Sequence, residues 1–179
     1  MSQVFVSGHK SPDTDSIAAA LSYSYLKRRL GMDAVAVRAG EINKESRFAL
    51  DYFDLEEPIL VTSVARKNPE DEKQKVILVD HNESKQTIDG MDDAEVLEII
   101  DHHRFGDFES ENPIFILVRP VGCVNTVIYG LYKANHIKPS REIAGIMLSA
   151  IISDTVLFRS PTTTEEDKET AKELAEIAG

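Results

Sequence analysis

The sequence predicts an α/β fold, an open and mostly parallel sheet with helices on both faces. Two observations carry that reading. Strand-like and helix-like segments alternate through most of the 179 residues. Three of the strand candidates, Val76–Val79, Val96–Ile100 and Ile114–Val118, are near-continuous apolar runs, as expected of strands buried on both faces.

The elements follow in order. Gln3–Ser7 is a short apolar strand that runs into Gly8. A helix is expected from about Asp15 to Leu30, with Ile17, Ala18, Leu21 and Tyr25 on one face, Lys27–Arg29 complementing its dipole and Gly31 ending it. Ala34–Arg38 reads as a strand. Asn43–Asp54 reads as a helix whose core candidates are Phe48, Ala49, Tyr52 and Phe53. Ile59–Val61 is a short strand, and the charged, proline-containing Arg66–Lys75 is a surface loop. After the apolar runs, helical patterns cover Cys123–Ala134, Ser140–Ser153 and Glu165–Ala178. Thr163 and Glu166 supply a capping box for the last, whose acidic residues read as an exposed face. There is no internal repeat, and residues 1–179 read as one domain.

Composition narrows the function. Thirty-one acids against 20 bases give a net charge of -11, which disfavours nucleic acid and anionic membranes as partners. One cysteine, Cys123, excludes an intrachain disulfide, and no leader or membrane span is legible, so a cytoplasmic protein is expected. His136, in the loop Asn135–Pro139, reads as a solvated side chain.

Four of the five histidines lie in three short motifs: His9-Lys10-Ser11-Pro12-Asp13-Thr14-Asp15, Asp80-His81-Asn82-Glu83 and Asp101-His102-His103. Each follows a predicted strand, and ligands of open α/β sheets bind at the carboxyl ends of the strands. Asp13 and Asp15 alone could be helix-capping acids, and His9 alone a structural histidine. Their joint placement favours one site. Asp154 adds an acid at the end of an apolar helix, where the dipole disfavours it and burial would demand a counter-charge. Carboxylates mixed with imidazoles suit manganese, magnesium or cobalt better than structural zinc, and five or six ligands suit two ions with a shared carboxylate. Such a pair performs in-line phosphoryl displacement.

These motifs, with Pro120-Val121-Gly122-Cys123 and the segment Glu142 to Asp154, resemble the DHH phosphoesterase superfamily, and within it the manganese-dependent (family II) inorganic pyrophosphatases. The resemblance implies that His9 and Asp13 bind one metal, that Asp15, His102 and Asp154 bind a second, and that Asp80 bridges both. It implies His103 as general acid toward the leaving phosphate and a metal-bridging water as nucleophile. Manganese or cobalt would bind tightly, magnesium would activate further, and the substrate would be pyrophosphate. Asp101 and Arg104 would lend support, His81 would stand behind the ligands, and a homodimer paired at sheet edges is expected. The alternatives are a relative acting on short oligonucleotides, cyclic dinucleotides or polyphosphate, or a metal-binding domain inactive without its partner domain.

Two departures stand out. Ser11 replaces the usual asparagine. The family's C-terminal domain, with its lysine and Ser-Arg-Lys motif, has no counterpart here, since Ser140-Arg141-Glu142 lies within the first domain. Weak activity of the isolated chain is expected. Some relatives carry a regulatory insertion where this chain has only Thr62–Lys75.

Overall fold

A computed structural model describes residues 3–179. Six strands form one all-parallel sheet: β1 (Val4–Ser7), β2 (Ala34–Arg38), β3 (Ile59–Leu60), β4 (Lys75–Val79), β5 (Glu95–Asp101) and β6 (Phe115–Val118), in the order β3-β2-β1-β4-β5-β6. The chain winds outward from β1 to one edge, returns to β4 and winds to the other. This leaves a topological switch between β1 and β4, where sites in such sheets form.

Five α-helices connect the strands or follow them: α1 (Thr14–Arg29), α2 (Lys44–Tyr52), α3 (Val124–Ala134), α4 (Arg141–Asp154) and α5 (Glu165–Ala178). They pack into one large core with alternate strand residues Val4, Val6, Ile77, Val79 and Ile100. The other face buries Val37, Val76, Leu78 and Ile99 beneath Val64, Ile88, Met91 and Phe108, which come from loops and short 3₁₀ turns. The long helices are thus gathered on one face.

Helix α1 is buried along almost its whole length, from Thr14 to Leu26. It lies against the sheet and under α3 and α4, so its small residues Ala18, Ala19, Ala20, Ser22 and Ser24 let neighbouring backbones approach. Glu98, the acid that interrupts the apolar run of β5, is matched there: Tyr23 and Lys27 of α1 donate to it at 2.5 and 2.6 Å.

Three expectations are corrected. The helices expected on both faces of the sheet lie on one, and loops with short 3₁₀ turns cover the other. In α2 the buried residues are Ser46, Ala49 and Leu50, while Phe48 and Tyr52 are 70% and 67% exposed and stack on each other. An aromatic stripe at helical spacing marked a face, but this helix turns the adjacent one inward. The capping box of α5 is built one residue later than expected, on Thr164 and Asp167, and Asp167 is fully buried rather than part of an exposed acidic face.

Candidate metal centre

The first three motifs arrive together because β1, β4 and β5 are adjacent and parallel. Gly8–Asp13 follows β1, Asp80–Asn82 follows β4, and His102 and His103 follow β5. Asp13 caps α1 by accepting from the Ser16 amide at 2.9 Å, and Asp15 lies in its first turn. Asp154, the last residue of α4, is brought over them by the packing of α4 on α1.

Asp80 is the centre of the cluster. It is 2% exposed, and its φ of 64° places a non-glycine residue in the left-handed region, a conformation held where surrounding structure demands it. One oxygen, Oδ2, lies 3.4 Å from His9 Nε2, which is 3.7 Å from Asp13. The other, Oδ1, lies 3.2 Å from His102 Nε2, which is 3.6 Å from Asp15 and 3.8 Å from Asp154. His103 Nδ1 is 3.7 Å from Oδ1.

Both oxygens of Asp80 and Nε2 of His102 are buried without a hydrogen-bond partner. An orphaned buried carboxylate is costly unless a cation compensates it. Neighbouring ligands of one divalent ion with bonds of about 2.1 Å stand roughly 3 Å apart, close to the separations found here. The donor set of carboxylates and imidazoles also suits such ions. The residues therefore fit a divalent metal pair. His9, Asp13 and Asp80 form one group able to hold an ion, Asp80, His102 and His103 a second, and Asp15, Cys123 and Asp154 a third.

The surroundings fix these side chains. His102 Nδ1 donates to the Val121 carbonyl at 3.0 Å, which turns Nε2 toward Asp80. Asp15 accepts from the Val124 amide at 2.8 Å and from Asn125 Nδ2 at 2.7 Å, at the N-terminus of α3, and from the Cys123 thiol at 2.9 Å. Asp101, fully buried, accepts from the His102 and His103 amides, from Asn82 Nδ2 and from His103 Nδ1 at 2.9 Å. That last bond engages Nδ1 of the half-exposed His103 ring. His81 Nδ1 donates to the Val79 carbonyl, and burial holds the ring neutral, its pKa down at about 4. Glu45, at the start of α2, accepts from Thr14 at 2.6 Å and from Ser153, tying together the helix ends that carry Asp15 and Asp154.

All seven residues expected of the site, His9, Asp13, Asp15, Asp80, His102, His103 and Asp154, lie in this cluster. Sequence reasoning missed Asn125 and Glu45. A polar Asn125 inside the apolar run of α3 was the available signal; Glu45 gave none. Cys123 is a buried thiol that donates to Asp15, and burial and the charge of Asp15 push its pKa well up. A cavity of about 840 Å³ lies elsewhere, between the 3₁₀ turns and residues 107–114. A smaller one of about 260 Å³ adjoins the cluster, lined by His81, Asn82, Glu83, Gln86, His103 and Arg104.

Without metal, the cluster stores repulsion. Burial, then the charge of Asp15, raises Asp154 to about 11. Burial disfavours charge on His9 and His102, yet Asp13 and Asp80 hold the first up at about 10, and Asp80 and Asp15 hold the second at about 9. The histidines stabilise fully below their ordinary 6.5 and lose that contribution as pH rises through 9 to 10. Asp154 destabilises increasingly above its ordinary 3.8. Both act in one direction: the melting temperature of the metal-free chain is expected to fall steadily from about pH 6 to about pH 9. Calorimetry at several pH values checks this, and a rising trend would contradict it.

Comparison with known proteins agrees with this arrangement. Residues 3–151 match the DHH family, N-terminal domain. The chain is 52% identical over all 179 residues to a protein of Exiguobacterium sp. and 54% identical to one of Bacillus licheniformis, both named probable manganese-dependent inorganic pyrophosphatase. It spans 56% of each, about half the length of these curated relatives. A crystal structure of a Methanococcus jannaschii protein, described as a candidate family II inorganic pyrophosphatase, superposes with a TM-score of 0.88 at 43% identity, over 99% of this chain and 57% of that one. An exopolyphosphatase-related protein from Bacteroides fragilis, at 19% identity and a TM-score of 0.72, shares the fold. The chain belongs to the DHH family, and its residues 3–151 are that family's N-terminal domain.

Proposed function

We propose that this chain is the metal-binding domain of a manganese-dependent inorganic pyrophosphatase. The observation that carries the reading is Asp80, whose two unpartnered oxygens face two separate ligand sets. His9 and Asp13 with Asp80 would hold one ion; Asp15, His102 and Asp154 with Asp80 would hold the other. The names of relatives at 52% and 54% identity support manganese and pyrophosphate, with cobalt as a substitute and magnesium as a further activator.

Two bound ions would lower the pKa of a water and neutralise phosphoryl oxygens during in-line displacement. The chain's own residues do the rest. Asp101 fixes the tautomer of His103, so that Nε2 can carry the proton given to the leaving phosphate. Asp15 is aimed by α3 and His102 by the Val121 carbonyl.

The remaining length of the relatives is where the family resemblance places a second domain that grips substrate. Residues 1–179 on their own would therefore bind manganese well and turn over slowly. Among the described residues, no helix is long and apolar enough to cross a membrane, in keeping with a cytoplasmic enzyme. Edge strand β6, with Phe115 and Ile116 50% and 43% exposed, is the surface for a homodimer.

The test is phosphate release from pyrophosphate by the metal-stripped chain with manganese and magnesium restored, beside the same assay on a dinucleotide. Slow manganese-dependent release from pyrophosphate alone is expected. Preference for the dinucleotide would overturn the substrate assignment.

A further inference from the structure

From the end of β6 into the first turn of α3 the chain makes a tight passage, residues 119–125, that touches the metal cluster. The Val121 carbonyl holds His102 Nδ1, and the Val124 amide and Asn125 side chain hold Asp15. What holds this passage comes from α5. Asp167 is fully buried, and its Oδ2 accepts from the Gly122 amide at 2.9 Å, while Oδ1 accepts from Thr126 at 2.6 Å. Thr164 completes the set, its amide and hydroxyl donating to Oδ2 at 2.7 Å each.

The fit is close. A Cβ on Gly122 would stand 2.9 Å from both Asp167 Oδ2 and the methyl of Thr155, the neighbour of Asp154. Outside this contact, Arg119 and Glu166 form two parallel bonds of 2.7 Å. Among the described residues, no cation lies within ion-pair distance of Asp167, and its carboxylate is met by neutral donors. A buried carboxylate with four donors defines the position of each of them.

We infer that Asp167 is a positioning residue for the metal centre: through Gly122 and Thr126 it fixes the passage that aims His102 and Asp15. The inference rests on the metal assignment proposed above. It reaches beyond residues 3–151, the segment that matches the family's N-terminal domain. It also has a directional consequence. His102 and Asp15 belong to one ion's ligand set and His9 and Asp13 to the other's, so loosening the passage should weaken one ion selectively.

The experiment is calorimetric titration of manganese into the metal-stripped 179-residue chain, comparing wild type, Asp167→Asn and Thr164→Ala. The Asn variant places an amide N–H against donors, disturbing Gly122 and Thr126. The Ala variant weakens the cap of α5 but leaves the carboxylate on the passage. For Asp167→Asn, one of two binding steps should weaken by about 10- to 100-fold, the range for groups that orient metal ligands. The other step should shift by less than about threefold, and Thr164→Ala should leave both near wild type even at matched thermal stability. If Asp167→Asn does not fold, Thr126→Val is expected to weaken the same step by several-fold. Unchanged affinities in a wild type that takes two ions would overturn this inference alone. So would equal weakening of both steps, or an equal effect of Thr164→Ala. A wild type that binds no manganese would overturn it together with the metal assignment.

Discussion

Asp80→Asn is expected to abolish paired metal binding while changing the stability of the metal-free chain only slightly. The carboxylate is 2% exposed and neither oxygen has a hydrogen-bond partner. Burial, then the nearby charge of Asp15, raises its pKa. An amide of the same shape removes the charge, and with it both the repulsion from Asp15 and the attraction that holds His9 and His102 protonated. The two effects oppose, so metal-free stability should change by no more than about 1 kcal/mol, or about 2–4 °C for a chain of this size. Manganese affinity should fall by more than about 100-fold, since loss of a shared ligand exceeds the effect of changing groups behind the ligands. Metal at 1,000 times its Kd would raise wild-type stability by about 4 kcal/mol, and the variant by almost nothing. Thermal melts with and without manganese measure both effects. A variant that keeps its metal-induced shift would sink the bridging role.

Gly8→Val, by contrast, should lose stability and affinity together. A Cβ at Gly8 would lie 1.9 Å from Ser16 Oγ and 2.9 Å from the Ser16 carbonyl oxygen. Ser16 is itself part of the scaffold: its Oγ accepts from the His9 amide at 2.9 Å, and its own amide donates to Asp13 at 2.9 Å. A branched side chain must push α1 away from β1, and with it His9 and Asp13. Overpacking of this kind costs about 1–3 kcal/mol, and the His9–Asp13 ion should be the one lost. Gly130→Ala is the control. Gly130 lies within α3 and a Cβ there meets nothing within 4 Å, so this change should be neutral or stabilising by up to about 1 kcal/mol. Unchanged melting and metal binding in Gly8→Val would show that the β1–α1 contact does not set the site.

The clustering of the seven candidate residues was legible because each motif lies at the end of a strand or helix, and strand ends converge in a parallel sheet whatever the loops do. Other features depend on contacts between distant segments. Thr163-Thr164-Glu165-Glu166-Asp167 offers two registers for a capping box; the one formed is the one in which Asp167 also meets Gly122 and Thr126. Phe48 and Tyr52 mark a stripe on α2, but spacing alone does not say which side of a helix faces the core. The turn after Asp154 is a third case. Val156, Leu157 and Phe158 all have φ between 50° and 62°, a run of left-handed residues that apolar and β-branched side chains disfavour by about 1–2 kcal/mol each. Thr155 supports it, its hydroxyl accepting from the Phe158 amide at 3.1 Å and its carbonyl from the Ser160 amide at 2.8 Å. No local preference in the sequence announces it.

The central claim is that one buried aspartate joins two ions. Electron paramagnetic resonance of the chain loaded with two equivalents of manganese tests it most directly. Two ions sharing Asp80 should give the spectrum of an exchange-coupled pair, and Asp80→Asn should not. A spectrum of isolated manganese ions in the wild type, at full loading, would contradict the account.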